Sequence, residues 1–281
     1  MDYAHPEVLV STAWVAEHQD DPQVRLLEVD YDPQSGYELG HLRNAALVDW
    51  KKDINDQLRR DILSRSQFEA LMGRLGVTPE TTLVLYGDMP NWFAAFAYWT
   101  FKIYRHDDIR LMNGGRRKWF EEGRETTEAV PTFTPTNYRA GGPDLGLRAM
   151  LPSVLAANGH SDVVLVDVRS PAEFTGEITA PPEYANEAAQ RGGHIPGAAN
   201  IPWAQAVNED DTFKPADDLL ALYGAKGISP DKSVITYCRI GERSSHTWFV
   251  LKYLLGFPVV SNYDGSWSEY GNTVGAPIEK P

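Results

Sequence analysis

Cysteine is almost absent from this chain: one residue, Cys238, among 281. A single thiol cannot close an intramolecular disulfide, so no disulfide framework is expected. Histidine is sparse as well, and the seven present include no close pair at metal-ligand spacing, which gives no sign of a zinc site. No apolar run approaches the roughly 20 residues that a membrane-spanning helix needs. Met1-Asp2-Tyr3-Ala4-His5-Pro6 lacks the charged-then-apolar order of a secretory signal, so the cytoplasm is the expected location. Basic residues are in deficit, 26 against 39 acidic, and the net charge is −13. Such a surface repels phosphate and argues against nucleic acid as the main partner. No metal or organic cofactor, no nucleic acid and no membrane is therefore expected.

What the chain does have is an internal repeat. Gly76-Val77-Thr78-Pro79 through Leu83-Val84-Leu85-Tyr86-Gly87-Asp88 aligns without a gap on Gly227-Ile228-Ser229-Pro230 through Val234-Ile235-Thr236-Tyr237-Cys238-Arg239, 151 positions later. Gly40-His41 and Ala45-Ala46 through Trp50 match Gly193-His194 and Ala198-Ala199 through Trp203, and Asn113-Gly114 matches Asp264-Gly265. Two long copies indicate an old duplication rather than a solenoid of short repeats. The length, about twice a typical domain, agrees with two domains. Between Glu122 and Pro143 the chain has no clear period and carries Pro131, Pro135, Gly141 and Gly142. This predicts a first domain over 1–130, a connecting segment over 131–145 long enough to wrap across both halves, and a second domain over 146–281.

Within the second copy, Val163-Val164-Leu165-Val166-Asp167-Val168 is a continuous apolar run of the buried-strand type. Ala199 to Trp203, Val234 to Tyr237 and Val259-Val260 follow, with helical stretches at Asp217 to Tyr223 and Ser244 to Leu255. Such alternation predicts an α/β fold, each half built on a largely parallel sheet flanked by helices. Ligands on these sheets bind at the carboxyl ends of strands, and Cys238 falls at one of them.

Cys238 opens the segment Cys238-Arg239-Ile240-Gly241-Glu242-Arg243-Ser244-Ser245-His246 at a strand-to-helix turn. Backbone N–H groups, a helix N-terminus and two guanidiniums in such a place favour thiolate over thiol. Cys238 is the expected nucleophile, and the reading requires it to stand at a cleft. The first copy has Gly87-Asp88 in place of Cys238-Arg239, with no nucleophile and the opposite charge, so the first half is expected to be inactive. The second copy also carries an insertion before its Gly-His turn, containing Pro181, Pro182, Glu183 and Glu187 and ending at Arg191-Gly192-Gly193, which could shape a pocket.

Cys238-Arg239-Ile240-Gly241-Glu242-Arg243, with Asp167-Val168-Arg169-Ser170, Gly193-His194-Ile195-Pro196-Gly197-Ala198 and Tyr263-Asp264-Gly265-Ser266-Trp267, resembles the tandem-domain rhodanese family of thiosulfate and mercaptopyruvate sulfurtransferases. The resemblance covers nearly the whole chain and is greatest to bacterial thiosulfate sulfurtransferases. It implies two rhodanese-like domains, the first inactive and the second catalytic, and a Cys238 that cycles through a persulfide. Cys238 thiolate would attack the outer sulfur of a small donor, and the persulfide sulfur would pass to a thiophilic acceptor such as cyanide or a thiol. Backbone N–H groups of Ile240, Gly241, Glu242, Arg243 and Ser244 would cradle the anion. Arg239 and Arg243 would hold its sulfonate end, with Arg191 as a third contact. Cationic residues after the cysteine favour thiosulfate over 3-mercaptopyruvate, although Glu242 subtracts one positive charge.

Other readings stand beside this one. A cysteine phosphatase or arsenate reductase has five residues between cysteine and arginine, whereas four separate Cys238 from Arg243 here. A non-catalytic binding module is a further alternative. His41 and His194 read as turn-stabilising because both copies carry them, and the Asp264 to Trp267 run reads as packing and turn chemistry. For His246, an outward imidazole on the helix is at least as well supported as one facing the loop. Trp92, Trp99, Trp119, Trp248 and Trp267 read as core or domain-interface packing. The sequence leaves the oligomeric state open, a monomer being compatible with an internally duplicated chain.

Overall fold

A computed structural model describes residues 1–281, except for the side chains of Glu183, Asn186 and Glu187. The chain divides into two compact units. The N-terminal unit comprises Glu7–Asp144 together with Asn208–Phe213, and the C-terminal unit comprises Met1–Pro6, Leu145–Val207 and Lys214–Pro281.

In the N-terminal unit the strands are β1 (Leu9–Val10), β2 (Val24–Asp30), β3 (Ala46–Asp49), β4 (Thr82–Tyr86) and β5 (Ile109–Met112). They form one parallel sheet in the order β1-β5-β4-β2-β3. In the C-terminal unit β6 (Val163–Asp167), β7 (Ala199–Asn200), β8 (Ser233–Tyr237) and β9 (Val260–Tyr263) form a second parallel sheet in the order β7-β6-β8-β9. The order β3-β2-β4-β5 of the first sheet is repeated in the second, so the duplication read in the sequence is a duplication of topology. Even the edge is echoed. Where β1 pairs with β5, the second sheet keeps a single parallel bridge, Arg148 to Asn262.

The strands take this form because both faces of each sheet are covered. Residues 83–86 of β4 and 234–237 of β8 are buried without alternation, as a parallel strand flanked by helices requires. Around β8 the core gathers Leu165, Ile195, Ile235, Tyr237, Tyr263, Trp267 and Tyr270. Trp99, Trp119, Trp248 and Trp267 are buried core residues, while Trp92 is partly exposed. The helix predicted from Ser244 begins earlier and changes character late, running α-helical over Glu242–Phe249 and π-helical over Val250–Leu254.

Two stretches lie where the sequence did not put them. Residues 131–144, read as a connecting segment long enough to wrap across both halves, are strapped along the N-terminal unit. Thr136 N–H donates to the Gly73 carbonyl, Tyr138 Oη bonds His106, and Asp144 N–H donates to the Ile103 carbonyl. Asn208–Phe213 belongs to the N-terminal unit as well. Lys118 donates to Asp210 at 2.8 Å, and Phe213 N–H donates to Asn113 Oδ1 at 2.9 Å. Ion pairs and side chain-to-backbone bonds between residues about a hundred apart leave no periodic trace in a sequence.

In both units the Gly-His turn is built alike. His41 stacks on Tyr37 at 3.7 Å and pairs with Thr127; His194 stacks on Phe174 at 3.6 Å and pairs with Glu279. Each ring pins a turn to a neighbouring extended segment, the turn-stabilising role read for both.

Candidate active site

The second sheet reverses its direction of growth between β6 and β8, and the chain leaving β8 enters the turn Cys238–Gly241 before the helix Glu242–Phe249. A crevice outside the carboxyl ends of strands at such a point is the usual ligand position in α/β sheets. Gly241 is indispensable to the turn. Its φ is +102°, and a Cβ there would lie 2.8 Å from Asp264 Cα. No residue with a side chain fits both constraints.

The turn is clamped from behind. Cys238 N–H donates to Ser266 Oγ at 3.1 Å, Trp267 N–H donates to the Cys238 carbonyl at 3.0 Å, and Ser268 N–H donates to the Arg239 carbonyl at 3.0 Å. Asn262 Nδ2 donates to the Gly241 carbonyl at 3.2 Å, and Ser244 Oγ donates to Asn262 Oδ1 at 2.6 Å. Asp264 is fixed in turn by two hydrogen bonds from Arg148, at 2.8 and 2.7 Å. The Asp264 to Trp267 run is thus turn chemistry that holds the backbone of Cys238, and Ser268 after it holds that of Arg239.

Gly241 N–H donates to Cys238 Sγ at 3.1 Å, and Ser244 Oγ stands 3.6 Å from it. The Cys238 thiol in turn donates to Glu242 Oε2 at 3.4 Å. Glu242 Oε1 faces Arg239 Nη2 at 3.4 Å and Arg243 Nε at 3.6 Å. Arg239 lays its guanidinium over the Tyr184 ring at 4.0 Å, and Arg243 donates twice to Glu173, at 2.9 and 3.0 Å. All the charged members of this group are buried.

Sequence reasoning expected a thiol acidified by its surroundings, and the structure gives the opposite direction. Cys238 has no exposed surface, and burial pushes its thiol up, reinforced by the Glu242 carboxylate; Arg243 and Ser244 pull the other way without prevailing. The loop arginines do not act as bare positive charges, because Glu242 and Glu173 stand against them. With Cys238 wholly enclosed, the open cleft that the sequence reading requires is not seen at the thiol.

Of the residues expected to bind substrate, the structure brings Arg239, Ile240, Gly241, Glu242, Arg243 and Ser244 together around Cys238. Arg191 is not aimed at the loop through its guanidinium. Its nitrogens donate to the carbonyls of Gly271, Ala276, Tyr270 and Thr273, tying down the C-terminal segment. The side chains of Glu183 and Glu187, in the same insertion, lie outside the described residues. His246 does not point outward. It is fully buried, edge-on to Trp203 at 5.6 Å, and burial pushes its imidazole down to about 3, so it is neutral.

Glu173, Asn262 and Tyr184 were not singled out from the sequence, whereas Ser266 lay in the run read as turn chemistry. Only Glu173 carried a local signal. Ser170-Pro171-Ala172-Glu173 forms a capping box, but that pattern predicts a helix start and says nothing of Arg243.

The N-terminal unit differs at the matching place. After β4 comes Gly87, whose N–H donates to Asn91 Oδ1 at 3.0 Å, then Asp88. Here Arg116 pairs with Glu28 and faces Asp88 at 3.4 Å, so an arginine-carboxylate cluster stands where the other unit has the thiol loop.

Residues 11–122 and 151–273 each match the rhodanese-like domain family. The chain is 56% identical over 285 residues to the sulfur carrier protein TtuD of Thermus thermophilus, spanning 100% of this chain and 99% of that protein. It is 51% identical over 284 residues to a Haloferax volcanii protein provisionally named a thiosulfate sulfurtransferase, spanning 99% of this chain and 98% of that one. Among solved structures, an anaerobic ergothioneine biosynthesis enzyme from Chlorobium limicola superposes with a TM-score of 0.88 at 24% identity, over 99% of this chain and 71% of that chain. YnjE does so with a TM-score of 0.88 at 24% identity, over 100% and 70%. At that identity the two structures share the fold.

Proposed function

Because this chain belongs to the rhodanese family and carries two copies of its domain in tandem, we propose that it is a sulfurtransferase moving the outer sulfur of thiosulfate to a thiophilic acceptor through a persulfide on Cys238. The observation that carries this reading is the contrast between the two strand ends. At the end of β8 a lone thiol accepts a backbone N–H at 3.1 Å beside Arg239 and Arg243, whereas the end of β4 offers Gly87 and Asp88. The second domain is the catalytic one and the first is inactive.

In the proposed step Cys238 Sγ, as thiolate, attacks the outer sulfur of thiosulfate. A bond from Sγ to that sulfur forms, its bond to the sulfonate sulfur breaks, and the electron pair leaves on sulfite. The Gly241 N–H faces the sulfur where negative charge gathers. An acceptor, cyanide or a thiol, then takes the terminal sulfur and restores Cys238. The 56% identical relative is named a sulfur carrier, which supports a protein thiol or persulfide-accepting protein among the acceptors.

A phosphatase reading has less support. Four residues rather than five separate Cys238 from Arg243, and a loop one residue shorter makes a tighter cradle than a tetrahedral phosphate monoester takes.

The test is the intact mass of the protein after brief incubation with thiosulfate, and separately with 3-mercaptopyruvate, with Cys238→Ala as control. Gain of one sulfur atom from thiosulfate alone is expected. Gain from mercaptopyruvate alone would reverse the donor, and gain from neither would return the phosphatase and binding-module readings.

A further inference from the structure

The buried loop holds two cations, Arg239 and Arg243, and two anions, Glu242 and Glu173. Their charges cancel while Cys238 is a thiol. Losing its proton to solvent would leave an uncompensated negative charge in a desolvated place, which is costly. Among the described residues, the cations on the neighbouring elements already have counter-charges. Arg148 is paired with Asp264, Arg169 with Asp167, and His246 is neutral. Passing the proton to a group inside the loop keeps the total at zero. Among the described residues one carboxylate oxygen is in reach of the thiol, Glu242 Oε2 at 3.4 Å, and its partner Oε1 is turned to both guanidiniums.

We propose that Glu242 is the catalytic base of the loop, taking the Cys238 proton onto Oε2 so that thiolate forms without a net change of buried charge. In the step, the S–H bond of Cys238 breaks as an O–H bond to Glu242 forms, and the sulfur keeps the electron pair with which it attacks. The proton stays on Glu242 while the persulfide anion stands in place of the thiolate, and returns to Sγ when the acceptor has taken the outer sulfur, so atoms and charge balance without a further reactant. A glutamate beside a nucleophilic thiol looks unfavourable, since it opposes free thiolate. Here it is the only buried anion with an oxygen facing the sulfur among the described contacts, and it supplies the acceptor that solvent cannot.

The inference rests on the sulfur-transfer reading for its use, but the proton transfer is testable without any sulfur donor. Cys238 is the sole cysteine, so alkylation by iodoacetamide, followed by intact mass, reports on this thiol alone. With an internal base the reactive thiolate–acid pair is a fixed fraction of the protein, and the wild-type rate should be flat between about pH 6 and about pH 8. Glu242→Gln should be at least about tenfold slower near pH 6 and gain about tenfold per pH unit, converging on wild type in alkali. A Glu242→Gln protein as fast as wild type, or faster, near pH 6 would overturn the proposal, because Glu242 would then only repel the thiolate. Should Glu242→Gln fail to fold by circular dichroism, Glu242→Asp decides: a slower but flat profile supports the base, and a profile rising tenfold per unit overturns it. If the alkylation profiles behave as stated and thiosulfate still loads neither protein, the donor assignment falls and the base stands. Thiosulfate loading unchanged by Glu242→Gln near pH 6 would do the reverse.

Discussion

Arg243 donates two parallel hydrogen bonds to Glu173, Nη1 to Oε2 at 2.9 Å and Nη2 to Oε1 at 3.0 Å, from residues 70 positions apart. The fork fixes the guanidinium in one orientation, with Nε turned toward the Glu242 carboxylate. Burial works against the charge on Glu173, yet Arg243 holds its carboxyl below the usual range, so the pair is ionic at neutral pH.

Replacing Glu173 by Gln should therefore do two separable things. Leaving Arg243 buried without its counter-charge is expected to cost about 3 kcal/mol of unfolding free energy. The loop is also left one positive charge in excess, which favours thiolate. Urea denaturation should show the first, and faster alkylation of Cys238 at neutral pH by the folded protein should show the second.

Arg191 separates a structural from a substrate-binding role. With its donors on four carbonyls between Tyr270 and Ala276, Arg191→Met is expected to lose about 2–4 kcal/mol of stability. Lysine should rescue little, because a point charge cannot reach carbonyls that a fork spans. At a temperature where the variant is folded, its KM for thiosulfate should match wild type; a KM rise of tenfold would restore Arg191 as an anion contact.

Gly241→Ala should damage both fold and chemistry. The left-handed φ of +102° and the 2.8 Å approach to Asp264 leave no room for a methyl group. The expected loss is about 1–3 kcal/mol, and the amide aimed at Sγ should shift enough to slow persulfide loading tenfold or more. Thermal denaturation and mass-detected loading rates would measure the two effects.

His246 gives a pH dependence of known sign. Its folded-state imidazole is pushed down to about 3, whereas the unfolded chain takes up a proton near pH 6.5. The unfolded state thus binds more protons below about pH 6.5, and stability present above that pH is lost as pH falls toward about 3. Between about pH 6.5 and about pH 5 the loss from this group should be about 2 kcal/mol. His246→Phe should flatten the acid limb by that amount in urea titrations at the two pH values. An unchanged difference would show that the imidazole reaches solvent.

Much of the architecture was legible because it is written in local pattern. Apolar runs buried on both faces announce parallel strands, and the same run followed by Gly-Asp in one half and Cys-Arg in the other announces a duplicated fold with one candidate nucleophile. His41 and His194 were legible for the same reason, since a residue kept in both copies and indifferent to the cysteine belongs to the scaffold. The ion pairs were less accessible. Glu173 was visible as a helix cap but not as the partner of Arg243, and Arg191 was visible as a cation but not as a tie for the C-terminal carbonyls.

By itself, then, the sequence determined two α/β sheets of one topology and a thiol at the carboxyl end of β8, because strand period, turn residues and repeat offset act over short stretches of chain. Whether that thiol is acidic was decided only by tertiary structure. Flanking arginines suggest a thiolate until folding buries the loop, sets Glu173 on Arg243 and turns Glu242 toward Sγ. The energy of a charge depends on the solvent removed and the counter-charges gathered around it, and those come from segments far apart in the chain.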